Sequence, residues 1–376
     1  MPRISRRLAL VLALLALASL RARPLPAQDS ARGPVRIVVA RLTHGHVNWI
    51  LGRADLGDVR VVGIYEPDTA VVARYARRFG FDTRLVHADL GAALDAARPE
   101  AVVAFGSIAE HRAVVEAAAP RGVHVMVEKP LAYSVADAER IAALARRHRV
   151  HVLTNYETTW YPSGYTAFAL VHDDTALGPI RKVVARDGHF GPKEIGVQPE
   201  FLAWLTDPAQ NGAGALVDFG CYGANLMTWL MRGAPPTTVT AVTQQIKRDP
   251  AYARVDDEAT LVLTYPDAQA IVQGSWNWPD HRKDLEIYGT RGYVATPDGR
   301  RVRVRLRGDS AERAVPARPL PPQYRDGFAY LAAVVRGTER VADADRSSLA
   351  NNVTVVRILD AARRSSREGR TVRLEP

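Results

Sequence analysis

The sequence predicts an α/β fold. An N-terminal Rossmann-type doubly wound parallel sheet is followed by a C-terminal α+β domain with a large, mostly antiparallel sheet. Three observations carry that expectation. Between residues 34 and 154, short runs of consecutive apolar residues alternate with stretches of helical periodicity, as when strands are buried on both faces. After Pro162 the strand-like segments lengthen and alternate apolar with polar residues, as in a sheet covered on one face. The chain has 376 residues, 47% of them hydrophobic and 24% charged, which suits two domains and excludes a mainly disordered chain.

The first 27 residues read as an export signal. Arg3, Arg6 and Arg7 precede an apolar run over 8–20. That run is shorter than the roughly 20 residues a spanning helix needs. Ala27 marks the expected cleavage site. Ser5-Arg6-Arg7 with Leu8 and Leu10 fits a twin-arginine signal, although Ala9 stands where such signals usually carry phenylalanine, so the Sec route stays open beside it. An uncleaved anchor is the competing reading. No membrane span is expected in the mature chain, and its destination is the periplasm. Cleavage takes five arginines and no acid from the formal charge of +10, leaving +5. The remaining bases are scattered among Asp and Glu, which speaks against a nucleic-acid partner. The single cysteine, Cys221, allows no intramolecular disulfide and no Cys-based zinc cluster.

Strands are expected over 35–40, 59–65, 101–105, 123–127 and 151–154. Helices lie between them near 47–54, over 69–79 closed by Gly80, over 110–119, and from the Ser134 cap to 148. In the second half, strands are expected over 181–186, 238–245, 258–265, 269–276, 285–288 and 301–306. One helix spans 220–231, a proline-rich stretch spans 315–322, and two helices close the chain. The expected domains are a dinucleotide-binding unit at 34–154 and a substrate and oligomerisation unit at 155–376.

The turn after the first strand is where a dinucleotide fold grips pyrophosphate, normally with three glycines. Here those places hold Arg41, Thr43 and His46, and Gly45 is out of register. The helix N-terminus still offers N–H groups, Arg41 offers a phosphate contact, and Thr43 a cap. Glu66 ends the second strand, where an acid binds the ribose hydroxyls and disfavours a 2′-phosphate, so NAD is expected over NADP. A solvated strand-end acid is the competing reading. His44 and His46 form a His-x-His pair, but nothing near them in sequence completes a coordination set. They are read as hydrogen-bonded loop histidines, and no metal is expected.

At Glu128-Lys129-Pro130 the string HVMVEKPLAYSVADAERIAALA resembles the Gfo/Idh/MocA family of sugar-type oxidoreductases. The run from Gly212 through Asp218 to Tyr222 and Asn225 resembles the family's glycine-rich segment and its Asp-x-x-x-His, with Tyr222 in the histidine place. Asp-x-Gly-x-Tyr is similar to the exported glucose–fructose oxidoreductase branch. The segment from Tyr288 to Gly292 resembles a further family turn. The resemblance implies that Lys129 lies beside the nicotinamide and the reacting hydroxyl. It also implies cofactor contacts from Ser107, His111, Glu128 and Asn155, and a homo-oligomer, dimer or tetramer.

Alcohol oxidation needs a base for the hydroxyl proton, and a lysine cation beside a tyrosine would lower the phenol toward working pH. Lys129, Asp218 and Tyr222 are therefore the expected catalytic set, with Tyr222 as acid/base and Asp218 beside it on one helix. Trp160, Tyr161 and His189 are candidate sugar contacts, with core packing as the alternative for the two aromatics. Trp276 and Trp278 suggest an oligomer face. The substrate expected is a small sugar or polyol, handled through a tightly held cofactor or a redox-neutral glycoside cycle. Two other classes stay open: a non-redox sugar-binding or regulatory protein with a degenerate nucleotide site, and a metal-dependent lyase or hydrolase using His44, His46 and His189.

Overall fold

Consecutive apolar residues can be satisfied only when both faces of a strand are covered, and the first half of the chain achieves this. The computed structural model describes residues 33–374, and the export signal expected over the first 27 residues lies outside them. Strands β1 (Val35–Ala40), β2 (Val59–Tyr65), β3 (Val86–His87), β4 (Ala101–Ala104), β5 (His124–Glu128) and β6 (Val152–Asn155) form a parallel sheet in the order β3-β2-β1-β4-β5-β6. This is the doubly wound order. Its direction reverses between β1 and β4, and the crevice beyond the carboxyl ends there is the usual ligand site. Val35, Ile37 and Val39 face one apolar layer, and Val38 and Ala40 the other.

The connecting helices are α1 (Val47–Leu51), α2 (Thr69–Phe79), α3 (Leu90–Ala97), α4 (His111–Ala118) and α5 (Val135–His148). Asp68, Asp89 and Ser134 cap α2, α3 and α5 with their side chains, and Gly80 ends α2 at φ 68°. The unit β3–α3 carries no expectation above. Its strand is two residues long and its helix is largely alanine and leucine, so neither gives a clear period.

The second half adds α6 (Pro162–His172), β7 (Ile180–Gly188), α7 (Pro199–Leu205), α8 (Pro208–Asn211), α9 (Ala215–Asp218) and α10 (Gly220–Leu230). There follow β8 (Thr238–Gln244), β9 (Glu258–Thr264), β10 (Gln269–Ser275), β11 (Arg282–Gly289), β12 (Gly292–Thr296), β13 (Arg301–Leu306) and β14 (Arg313–Pro316). The chain closes with α11 (Gly327–Val335), α12 (Leu349–Glu368) and β15 (Val372–Arg373). The nine strands run β14-β13-β12-β11-β7-β10-β9-β8-β15. β7 and β10 pair in parallel, and the other pairs are antiparallel. Ala259, Leu261 and Leu263 point into the core beneath α10 and α12, while Thr260 and Val262 stay half-buried on the open face.

Two close approaches fix the helices on this sheet. A Cβ at Gly274 would lie 2.7 Å from the Gly220 nitrogen and 2.8 Å from the Ala215 carbonyl, so α9 and α10 rest directly on β10. A Cβ at Gly214 would overlap the Asp256 carbonyl, and the Asp256 carboxylate accepts from the amides of Gly214 at 2.9 Å and Leu216 at 2.7 Å. The glycine-rich run is thus the entry to α9.

The linear division at 154/155 separates the two sheets but not their layers. α11 returns to the first sheet, where Phe328, Tyr330, Leu331 and Val334 join the apolar layer under Ile37 and Val103. Behind it, the buried Arg346 donates to the carbonyls of Thr158 at 2.7 Å and Thr159 at 2.9 Å, between the rings of Tyr165 and Trp229. Gly164 lets α6 pass this guanidinium, since a Cβ there would lie 3.1 Å from it. Arg346→Ala strands both carbonyls, each worth about 1–3 kcal/mol, and removes two ring contacts, so stability should fall by about 2–4 kcal/mol. A lower urea midpoint at unchanged slope is the expected readout; an unshifted midpoint would show that water replaces the guanidinium at no cost.

Candidate active site

β5 ends at Glu128, so the backbone delivers Lys129 to the carboxyl edge of the parallel sheet at its switch region. From the other side, α9 ends at Asp218. The Lys129 ammonium donates to Asp218 Oδ1 and, at 3.1 Å, to the Asp218 carbonyl. Asp218 Oδ2 accepts from Trp276 Nε1 at 3.0 Å. Both side chains are 6% exposed. Burial works against both charges, yet each holds the other: Asp218 stays below the usual carboxylate range and Lys129 above the usual amine range. The sequence-predicted pair is therefore brought together as a buried ion pair.

Tyr222 departs from expectation. Phe219 breaks the helix after Asp218, so Asp218 and Tyr222 belong to different helices. Tyr222 presents its ring face, with Lys129 Nζ 5.4 Å and Lys283 Nζ 5.0 Å from the centroid. Burial pushes its phenol well above the ordinary value of 10, and the neighbouring carboxylates add to that. The Lys129 ammonium is engaged by Asp218, so in this arrangement it does not offset the effect of burial on the Tyr222 phenol. Trp276 likewise leaves the expected oligomer face: it is fully buried beneath Asp218. Cys221, its thiol pushed up to about 12 by burial, donates to the Asp218 carbonyl at 3.3 Å.

Asp187, Lys283 and Glu157, near the pair, have no place in the sequence-based set. Asp187, at the end of β7, is buried with neither carboxylate oxygen partnered, and burial lifts its pKa far above the usual range. Opposite it in register, Lys283 of β11 donates to Glu157 Oε2 at 2.6 Å. The signal was a charged residue at the end of an otherwise alternating strand, which reads equally well as a solvated position. His189 lies two residues beyond Asp187. Burial pushes its pKa down to about 4, its Nδ1 accepts from the Gly191 amide at 3.0 Å, and its ring meets Phe219 edge-on.

On the other side of Lys129, Glu128 is fixed by both oxygens: Oε2 to His46 Nδ1 at 2.8 Å and Oε1 to the Asn155 amide at 2.8 Å. Burial would raise its pKa, but the two histidines and these hydrogen bonds hold it at about 2. Trp160 donates to Asn155 Oδ1 at 3.0 Å and packs on Tyr330, while the Tyr161 hydroxyl donates to Glu157 Oε1 at 2.5 Å. His111 is buried behind them, its Nδ1 at 3.2 Å from the Leu131 carbonyl. Ser107 is taken up by Glu110 in a capping box.

The turn after β1 does not fit a pyrophosphate as folded. The amides of Thr43 and His44 both donate to the Phe105 carbonyl, at 3.2 and 2.8 Å, and the His46 amide donates to the His44 ring. Thr43 makes no helix cap: its hydroxyl also turns to Phe105, at 3.3 Å, and α1 starts without a side-chain cap. Arg41, at φ 68°, pairs with Glu66 at 2.6 Å and with Glu110 at 3.0 Å. Glu66 also accepts from the amides of Leu42 and Asp68, so both of its oxygens are engaged. Gly45 faces Gln198 and Phe201, which lie over the loop.

Comparison with known proteins places these features in context. Residues 40–156 match the family model described as an oxidoreductase family with an NAD-binding Rossmann fold, and residues 166–295 match the GFO/IDH/MocA C-terminal domain. The chain is 26% identical over 258 residues to a trans-1,2-dihydrobenzene-1,2-diol dehydrogenase of Xenopus tropicalis, covering 67% of this chain and 74% of that one. It is 27% identical over 340 residues to a dTDP-3,4-didehydro-2,6-dideoxy-α-D-glucose 3-reductase of Streptomyces antibioticus, covering 84% and 96%. Solved structures share the fold, two of them as follows. One is an inositol dehydrogenase homologue from Azotobacter vinelandii with NAD+ (TM-score 0.78, 20% identity, 91% and 97% covered). The other is an aldose-aldose oxidoreductase from Caulobacter crescentus with glycerol (TM-score 0.74, 24% identity, 91% and 100% covered).

The ion pair makes a prediction about pH. In the wild type, the Asp218 pKa is depressed, so its contribution to stability is present above the unfolded carboxyl value and lost as pH falls through the folded one. Lys129→Met leaves Asp218 buried and unpaired, at a cost of about 3–5 kcal/mol near neutrality. Burial then raises the Asp218 pKa, and the variant should regain stability relative to wild type as pH falls toward 5. Parallel losses at all pH values in urea titrations would show that Asp218 is not the group left uncompensated.

Proposed function

Because the chain belongs to the Gfo/Idh/MocA family of oxidoreductases, as the models matched by both its halves show, we propose that it is an exported enzyme that oxidises a hydroxyl of a sugar or polyol, or reduces the corresponding ketone. The observation that carries this reading is the buried Lys129–Asp218 pair at the carboxyl edge of the parallel sheet. A hydroxyl entering beside it meets an ammonium that donates to its oxygen and a carboxylate that receives its proton. As the substrate oxygen takes the place of Asp218 on the ammonium, the carboxylate loses its stabilising charge and becomes a better base. The rings of Tyr222 and Phe219 lie against the Lys129 ammonium, and burial raises the pKa of the nearby Asp187. The dinucleotide, when bound, supplies the hydride acceptor. Glu66 at the end of β2 supports NAD over NADP, since a carboxylate repels a 2′-phosphate. Uptake requires Arg41 to release Glu66 and the loop amides to leave Phe105.

The loop supports a second reading, a non-redox sugar-processing or sugar-binding protein, because three of its amides are already engaged. Denaturing the purified mature protein and assaying the supernatant for NAD(H), with an NAD titration of the native protein, separates the two. Nucleotide bound one per chain, and loss of polyol turnover in Lys129→Ala with the fold retained, is the expected result. If neither released nor titrated nucleotide is found, the redox reading fails.

Export and assembly belong to the same proposal. Protein recovered from the periplasm should begin at Gln28 and scatter light as a dimer or tetramer, assembled through the half-buried open face of the nine-stranded sheet. A product retaining Met1, or a monomer, would contradict it.

A further inference from the structure

The loop after β1 carries two histidines that phosphate binding does not require. His44 is buried against Phe201 and Trp204 of α7, with ring centroids 4.5 and 5.7 Å away. Its Nδ1 accepts from the His46 amide at 3.0 Å, and its Nε2 is buried without a partner. His46 turns Nδ1 to Glu128 Oε2 at 2.8 Å and stacks on Trp49 at 3.6 Å, and Asn155 fixes the other Glu128 oxygen. One donor atom from each of His44, His46 and Glu128 lies within 4.8 Å of the others.

We propose that His44, His46 and Glu128 form a site for one divalent transition-metal ion of the zinc, cobalt or nickel class. Two imidazoles and a carboxylate are the donor set such borderline ions prefer, and three protein ligands leave a position for water or a substrate oxygen. Bonds of about 2.0–2.1 Å set tetrahedral ligand atoms about 3.3 Å apart, so the donors draw together by about 1.5 Å at most. The His44 ring now accepts at Nδ1 and so carries its proton on Nε2, a buried donor with nothing to receive it. Coordination through Nε2 moves that proton to Nδ1 and frees the His46 amide. Asn155 serves the Glu128 carboxylate as the outer partner that metal ligands commonly have. In sequence the pair is only His-x-His. The third ligand comes from the end of β5, whose next residue is Lys129.

The metal does not rest on the nucleotide reading: a chain with an ion and no NAD satisfies it, and a chain with NAD and no ion does not. The test uses the mature chain without a polyhistidine tag, stripped by chelator and reloaded with Zn2+ or Co2+. One ion per chain after gel filtration is expected, with visible Co2+ ligand-field bands and a metal-dependent rise in Tm. Loss of an outer-shell partner alone weakens metal sites 10–100-fold, so His44→Asn and His46→Asn should each weaken binding by at least about 100-fold and abolish the Tm rise. Circular dichroism of the metal-free variants checks their fold, and the wild-type stoichiometry decides even if one of them does not fold. Only a trace of metal on the wild type, or a full equivalent kept by the doubly substituted chain, overturns the proposal.

Discussion

A lysine ammonium buried at the end of a parallel strand is tolerated only if a carboxylate meets it, and much of this molecule serves that meeting. Lys129 is set by the first sheet and Asp218 by the helical layer of the second, so the pair holds the two halves to one geometry. Breaking such a pair costs far more than making it gains. The supports are correspondingly dense. Trp276 takes the second Asp218 oxygen, Asp256 ties down the entry to α9, and the bare α-carbon of Gly274 lets α9 and α10 lie against β10. A reactive arrangement is thereby fixed by elements rather than by mobile loops.

The opposite choice is made a few residues away. Where a dinucleotide fold leaves loop amides unpaired, this chain spends them internally and closes the ribose acid with an arginine from its own turn. Each contact that stabilises the ligand-free loop must be given up before phosphate can bind, so affinity for a nucleotide is reduced by the fraction of time the loop is open. His44 and His46 lie in the same turn. The turn that would meet the phosphates thus also carries the nitrogen donors of the proposed metal site.

The order and spacing of elements were readable because buried parallel strands and one-sided antiparallel strands leave different periods. Every strand of the first sheet except the two-residue β3 shows its apolar run, and β8, β9, β10 and β13 show their alternation. Helix α6 shows no clear apolar stripe because its buried residues include Ser163, Gly164 and Thr166 as well as Ala167, Ala169 and Val171, while Tyr165, Phe168 and Leu170 also pack on the core. In the site, Lys129 and Asp218 were legible through a local motif. The electrostatic state of Tyr222 was not, because it depends on who else claims the lysine. Asp187 and Lys283 meet only through strand register, and Glu128 reaches His46 across 82 residues. A single sequence without structure carries no record of such pairings.

The return of α11 to the first sheet has a bearing on how the chain is made. Part of that sheet's covering is encoded about 175 residues after its last strand, since Phe328, Leu331 and Val334 join the layer against strands of a sheet that ends at Asn155. Until α11 is made, the layer that α1 and α2 build over Ile37 and Val103 lacks these side chains. Contacts of such long sequence separation form late, and the surface they will cover is prone to misassociation in the meantime. That layer is therefore complete only once the carboxyl end of the chain has been made.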